Sequence, residues 1–498
     1  MQHILIAERG LCAKKALEAS KALGLETTLL KAERELPAWG ELSDNIVEPP
    51  ISEANATAQN FGIIATALQL GCDGIFPSWD EKKNPYTLSA LSKASRIIFV
   101  GGNPETLSSV NNRIGIRWAA KDLKMDVIPS SDKIETMEDA FIWILQFGYP
   151  IVMRTLRTPS QKISDEHEIW KIEEALTKGP VVLERFLEHA REIETVMFGI
   201  KGELPICLGE GEISQKLNGI RAFSEFPPIG ISNKRLNKIR VQAAKLILGT
   251  GWEGIISARF LLTPDGMAYF LQLNPGIQPW HSTVEVSLGV DLYDAQIRVA
   301  MEDELGWKQS DIRFSGHTLS MMIYSKTSGL ITKLHIPKEE FSPEVQGFVG
   351  DSLRQVCWGP LVGDSVEEGE LLGTLSVQSF NRDLAVVVAK QILDELIVEG
   401  IETNLQEFDL LFSQDEFWKK PPQRSNQELG EQELGEQEFS EQEISEQDVS
   451  ENTESENTES ENDVSEELES FEQNSVKHVD LVDVVDENDD IDDIDNNE

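Results

Sequence analysis

Over the first hundred residues, short apolar runs alternate with stretches of helical period. Ile4 to Ala7 reads as a buried strand that turns through Arg9-Gly10 into a helix with Ala13, Ala16, Leu17 and Leu23 on or near one face. Gly24 ends that helix, and Thr27 to Leu30 reads as the next strand. Gly74 to Pro77 and Arg96 to Gly101 supply two more strands. Strands separated by helices predict a parallel sheet covered on both faces. From about Tyr149 the rhythm changes to longer strands: Pro150 to Met153, Val181 to Leu183, Glu194 to Phe198, Ile255 to Leu262 and Ala268 to Leu273. Asp265-Gly266 is a hairpin turn between the last two. An α/β domain followed by a largely antiparallel one suits a nucleotide held between two layers.

The pattern stops at the C-terminus. Between Glu428 and Glu467 the chain falls into five-residue units such as ELGEQ, EISEQ and TESEN. A period of five matches neither helix nor strand, so apolar side chains cannot gather on one face and residues 421–498 are expected to be disordered. Within this tail Val476 to Asp486 alternates apolar and acidic residues, the pattern of a segment that folds onto a partner, although a solvated tail is the simpler reading.

Charge sharpens the division. The 498 residues carry a formal −43, and after Pro421 there are 29 acidic residues against Arg424 and Lys477, so the tail accounts for −27 of it. Neither part has the basic stripe that a phosphate backbone requires, which argues against a nucleic-acid partner. No apolar run approaches the roughly 20 residues of a membrane helix, and the N-terminus has no basic flank or cleavage site, so it reads as a first strand and not as a signal peptide. Cys12, Cys72, Cys207 and Cys357 are scattered without a Cys-x-x-Cys pair, which suggests buried reduced thiols in a cytoplasmic protein.

Several segments, in order, resemble the biotin carboxylase family of ATP-grasp enzymes. Ile4-Leu5-Ile6-Ala7-Glu8-Arg9-Gly10 is similar to its opening strand and turn. Phe99 to Glu105 is similar to its Phe-Ile-Gly-Pro-x-Pro-Glu segment, and Phe147 to Arg154 to the Gly-Tyr-Pro strand that ends in a phosphate-binding lysine. Val182 to Leu187 with Ala190 to Glu194 resembles the adenine-hinge strand and the Arg-His-x-Glu motif, and Tyr269 to His281 the Phe-Ile-Glu-Met-Asn-x-Arg-x-Gln-Val-Glu-His run. Glu285, Gly316-His317, Arg382-Asp383 and Gly400 to Asn404 continue the resemblance to about residue 418. It implies a mixed α/β and α+β fold: a doubly wound N-terminal domain over 1–110, an ATP-grasp domain over 111–305, a C-terminal biotin carboxylase-type domain over 306–420, and the acidic tail.

The residues that would carry the family's chemistry differ. The two phosphate lysines read Arg113 and Arg154, which keep the charge with a wider, planar group, and the glycine-rich lid reads Thr155 to Gln161 without a glycine. Glu184, Arg185 and Leu187 map onto the adenine hinge, leaving room for weak ATP binding. The two metal-binding glutamates fall on Arg259 and Gln272, with Asn274 retained beside them. Mg²⁺ wants anionic oxygen, so it is not expected here. The bicarbonate arginine and the general base become Gly276 and Trp280, while Gln278 and His281 remain. The biotin arginine falls on Met322, and Lys216 and Arg221 keep charge where a biotin-facing lysine pattern would lie. No Met-Lys-Met motif exists, so no covalent biotin is expected on this chain.

Losses gathered on one site while the scaffold persists imply a non-catalytic paralogue, a binding or regulatory subunit. Such a subunit would form a homodimer, or a heterodimer with an active biotin carboxylase subunit, and would meet a biotin carrier protein. The alternative is a divergent active biotin carboxylase or ATP-grasp ligase that rebuilds a metal site from Glu194, Glu210, Glu212 or Glu225. A third reading puts an anionic or planar ligand in a cleft lined by Arg154, Arg259, Gln272 and Trp280.

Overall fold

A computed structural model describes residues 1–31, 38–48, 56–79, 85–155, 161–213, 217, 220–338, 340–342 and 352–414. The acidic tail, the glycine-free segment 156–160 and Lys216 lie outside the described residues.

The N-terminal sheet is parallel throughout, in the order β3-β2-β1-β4-β5, with β1 at His3–Ile6, β2 at Glu26–Leu30, β3 at Asn45–Val47, β4 at Gly74–Phe76 and β5 at Ile98–Phe99. Period-two alternation divides its side chains as expected. Ile4 and Ile6 join Ala13, Ala16 and Leu17 of the helix Gly10–Ala22, whereas Leu5 and Ile75 pack on the other face with Ile64, Ala67 and Leu88. Burying each such aliphatic side chain is worth about 1.5–3 kcal/mol, so both faces hold the sheet. The strand expected over Arg96 to Gly101 shrinks to two residues. Arg96 takes a left-handed φ of 58° and the Ile97 amide still caps the preceding helix by donating to the Ser92 carbonyl, which delays the extended backbone.

A ten-stranded sheet forms the second layer. It contains β6 (Asp126–Val127), β10 (Arg191–Ile200), β11 (Glu203–Glu212), β12 (Phe223–Phe226), β13 (Gly254–Leu262), β14 (Ala268–Pro275) and β15 (His317–Tyr324), with Leu371–Ser379, Ser352–Trp358 and Glu340–Ser342 beyond β15. All neighbours are antiparallel except β6, which runs parallel beside β14. Because β12 pairs with β15, the segments 111–305 and 306–420 share one sheet. One face of β10, β11 and β13 lies against the helix Asn233–Thr250, where Ile193, Met197, Cys207, Ile256, Ala258 and Phe260 meet Leu236, Ile239, Ala243 and Ile247.

A smaller antiparallel sheet has β7 (Ile151–Thr155) between β8 (Gln161–Ile163) and β9 (Val181–Arg185). It rests on Ala140, Trp143 and Ile144 of the helix Met137–Phe147, whose first turn is capped by the Thr136 hydroxyl accepting from the Asp139 amide at 3.2 Å. The four cysteines are free. Cys72 and Cys207 are buried as expected, whereas Cys12 and Cys357 are only half-buried. Among the described residues no helix is long and apolar enough to cross a membrane.

Candidate functional site

The face of the large sheet opposite the helix Asn233–Thr250 turns polar near the ends of β10, β13 and β14. Glu192 and Glu194 share that face by strand alternation, and the ladder places Glu194 opposite Arg259 and Arg259 opposite Gln272. One rung on, Ser257 faces Asn274. Glu194 is 1% exposed and accepts from the Trp280 indole at 2.9 Å, His281 Nε2 at 3.2 Å, Asn274 Nδ2 at 3.3 Å, Arg259 Nη2 at 3.4 Å and the Ser257 hydroxyl. The His281 Nδ1 accepts the Gln278 amide at 3.2 Å, which leaves Nε2 as the protonated nitrogen that donates to Glu194. Burial pushes the Glu194 carboxyl up, but the Arg259 charge and the hydrogen bonds from His281 and Ser257 outweigh it and hold the group well below the usual carboxylate range. Glu192 is bound by Arg221 Nη2 at 2.7 Å and by Arg259 Nη1 at 3.4 Å.

These donors do not fit a divalent metal. At the two positions where the resemblance expects carboxylates, Arg259 is 5% exposed between two acids and Gln272 donates to Asn274 Oδ1 at 2.5 Å. A divalent ion beside them would meet a guanidinium instead of anionic oxygen. The other acids are not gathered here. Glu210 and Glu212 point to the helix-facing side of the sheet, Glu210 held by Arg240 (Nη2 at 2.8 Å) and Glu212 by Arg191 at 2.9 and 2.5 Å. Glu225 is fully buried and bound by His317 Nε2 at 2.7 Å and by Arg382. Among the described residues no three His, Cys, Asp or Glu side chains are grouped to hold a metal.

The end where the resemblance expects a bicarbonate arginine is filled. Gly276 has φ 76°, and a Cβ built there would lie 2.3 Å from Cδ2 of Trp79. The Trp79 ring also lies over Gly101 and packs edge-on against Phe99 and Trp252. Trp280, at the position of the base, donates its N–H to Glu194, and its ring has the guanidiniums of Arg221 and Arg259 at 5.6 Å each. Gln278 lines a small recess with Lys15, Ser282, Glu285 and Thr374. Lys15 is paired with Glu285 there and has its ammonium 4.7 Å above the Tyr293 ring. Burial pushes the Lys15 ammonium down, but Glu285 more than reverses this and raises it. Met322 is buried on the same face of β15 as Ser320, whose hydroxyl meets Ser282 at 2.6 Å.

Where the resemblance expects the adenine hinge, Arg154 and Glu184 come together. Arg154 Nε donates to Glu184 Oε2 at 2.7 Å, and Arg117, from the helix Arg113–Asp122, binds the other oxygen while donating to the Ile128 carbonyl at 2.6 Å. Leu187 is buried with Ile128, Ala190 and Leu261, and Arg185 is exposed. Arg113 begins its helix, and its side chain lies outside the described residues.

Residues 112–308 match the family model described as the ATP-binding domain of the carbamoyl-phosphate synthase L chain. Biotin carboxylase 2 of Bacillus subtilis is 24% identical over 426 residues, covering 81% of this chain and 93% of the relative. The biotin carboxylase of Pseudomonas aeruginosa is 25% identical over 429 residues, with 82% and 93% covered. The biotin carboxylase domain dimer of Hydrogenobacter thermophilus 2-oxoglutarate carboxylase, solved with MgADP, ADP and bicarbonate, aligns with a TM-score of 0.77 at 20% identity over 85% of this chain and 96% of that one. The biotin carboxylase of Campylobacter jejuni in a β-γ-ATP complex aligns at 0.76 and 22% identity, over 85% and 97%. This chain has the fold of the biotin carboxylase domains and is similar to biotin carboxylases in sequence over most of its length.

Within that biotin carboxylase-like scaffold, the polar cluster joins Arg259, Gln272 and Trp280 of the expected cleft but not Arg154, which pairs with Glu184, and it also gathers Asn274, Glu194, Arg221 and His281, each noted separately in the sequence, with Glu192. Two residues of the cleft escaped sequence reasoning. Arg117 belongs to a basic row with Arg113 and Lys121 at four-residue spacing, a signal that points to an acidic partner without naming Glu184. Trp79 follows β4 in a segment without periodicity, so nothing in the sequence announces that it covers Gly276.

Proposed function

We propose that this chain is a non-catalytic member of the biotin carboxylase-like proteins and serves as a binding or regulatory subunit of a carboxylase assembly. One observation carries the reading: the Trp79 ring occupies the space that any side chain at Gly276 would need. A bicarbonate clamp therefore has neither its arginine nor the room for one. Trp280 supports the same conclusion, since its indole N–H donates to Glu194 and has no basic lone pair with which to take a proton.

Under this reading the scaffold is kept for what it touches. The partner is a second copy or an active biotin carboxylase subunit, with a biotin carrier protein as a further contact, and the location is the reducing cytoplasm, where thiols like the four free ones here persist. ATP would bind weakly at the adenine end, because Arg154 must give up Glu184 before it can meet a phosphate. The test is a turnover assay on the full chain with ATP, bicarbonate and free biotin, alone and mixed with an active biotin carboxylase. The expected result is no biotin-dependent ATP cleavage by the chain alone and a stable mixed species by size exclusion. Biotin- and bicarbonate-dependent ATP cleavage by the chain alone would end the proposal.

A further inference from the structure

We infer that the outward side of the helix Arg113–Asp122 is the docking surface for this chain's own C-terminal segment Val476 to Asp486, which lays its valines on Trp118 and Leu123 and its aspartates on the lysines around them.

Ile116 and Ala120 bury the inner side of this helix in the same core as Leu236, Ile239 and Ala243 of the helix Asn233–Thr250, so the outer sides of the two helices adjoin. Trp118 stands about 200° of helical turn beyond Ile116 and is 64% exposed, and Leu123, just past the helix end, is 40% exposed. Two large apolar side chains are thus left in water on one short stretch. Lys121 and Lys124 are exposed among them, as are Lys234 and Lys238 on the neighbouring helix. Lys238 faces Asp126 at 3.6 Å, and Asp122 is the other acid of this surface. Among the described residues no carboxylate lies within ion-pair distance of Lys121, Lys124 or Lys234, so their charge is open to an acidic partner.

Charge, composition and reach select the occupant. From Val476 to the end the chain carries ten acidic residues against Lys477. Val476, Val479, Val482 and Val485 recur at every third position, and Asp480, Asp483 and Asp486 each follow a valine. A segment that repeats one apolar and one anionic side chain complements a surface of aromatic and aliphatic carbon set among ammonium groups. Exposed ion pairs alone are weak and unselective, so the valines fix the place of docking. Reach is ample. About sixty residues separate Gln414, the last described residue, from Val476, and fully extended they span up to about 200 Å, against a radius of gyration of about 22 Å for a body of this length. Because the segment is tethered to its surface, a weak site suffices. Arg117 of the same helix binds Glu184, so the docked tail braces the element that makes that cleft contact.

Carbodiimide cross-linking of the full-length protein tests this, since the reagent joins a lysine amine to a carboxylate in contact with it as an amide and takes up the water lost. Peptide mass spectrometry then reads which lysines the tail has reached. Cross-links from Asp480, Asp483 and Asp486 are expected to be several-fold more abundant at Lys121, Lys124 and Lys234 than at Lys201 and Lys308, which are exposed elsewhere. Val479→Ser/Val482→Ser/Val485→Ser keeps every acid and alters none of the described residues, and it should lower that preference several-fold. Trp118→Ser, which retains all the lysines, should do the same. Equal cross-linking at all five lysines overturns the inference, and so does a preference that the valine variant leaves intact, because charge alone would then explain it. A mixture of heavy-isotope and ordinary chains is the last check. Cross-links that join two copies, with none inside one chain, overturn self-docking as well.

Discussion

The two ends of the cleft have both turned inward, to different depths. At the metal end Arg259 and Glu194 are sealed, with Glu194 taking five donors from β13, β14 and the turn after it. At the adenine end Glu184 takes two arginines whose side chains remain about one-fifth exposed. Water can replace a lost partner at the second end and cannot at the first. The same kind of substitution, arginine meeting glutamate, is therefore a closure at one end and an adjustable latch at the other.

Stability measurements can break this contrast, and the largest effect is expected at Arg259. Removing it takes the guanidinium from Glu194 in a sealed site, although Arg221 stays on Glu192, so Arg259→Ala should lower the unfolding free energy by about 3–5 kcal/mol in urea. Trp79→Ala should cost about 2–3 kcal/mol, less than a fully buried tryptophan because Trp79 is partly exposed. At the adenine end Arg154→Ala should cost about 1–2 kcal/mol, since Arg117 stays on Glu184 and solvent reaches the gap. A loss at Arg154 as large as that at Arg259 would erase the distinction between the ends.

A pH titration sharpens it further. Glu194 is held below its unfolded value of about 4.3, so its contribution is complete above that pH and is lost as pH falls toward the lower folded value. Wild type should therefore lose stability below about pH 4.5 more steeply than Glu194→Gln, read as the slope of unfolding free energy against pH. The smallest effect serves as the control. Lys178→Ala removes an exposed i,i+4 pair with Glu174 and should change stability by no more than about 0.5 kcal/mol.

The scaffold was legible because its signals are local or repeat. Alternation along Ile4 to Ala7 and the helix after it gave the N-terminal sheet and its two covered faces. The Asp265-Gly266 turn gave the hairpin that sets Arg259 beside Gln272. Arg154 stands in the sequence at the position of a phosphate lysine, and in the structure it lies on Glu184. Glu210, Glu212 and Glu225 stand beside Glu194 as candidate ligands in the sequence, with Glu194 favoured by its place in the Arg-His-x-Glu-like motif. Strand parity and sheet order separate them, since Glu210 and Glu212 point to the other face and Glu225 is engaged by the helix Arg382–Glu395.

By itself, the sequence determined the strand–helix–strand opening of the chain and the hairpin around Asp265-Gly266, that positions 259 and 272 carry a guanidinium and an amide, and that position 276 has no side chain. Those are properties of single positions and of short-range period. Only the tertiary structure decided what fills the vacated space: Trp79 over Gly276, Arg221 on Glu192, Arg117 on Glu184. Each of these contacts joins elements distant along the chain, and their meeting depends on strand order and on which face each side chain leaves. Neither is written in the period of either segment alone.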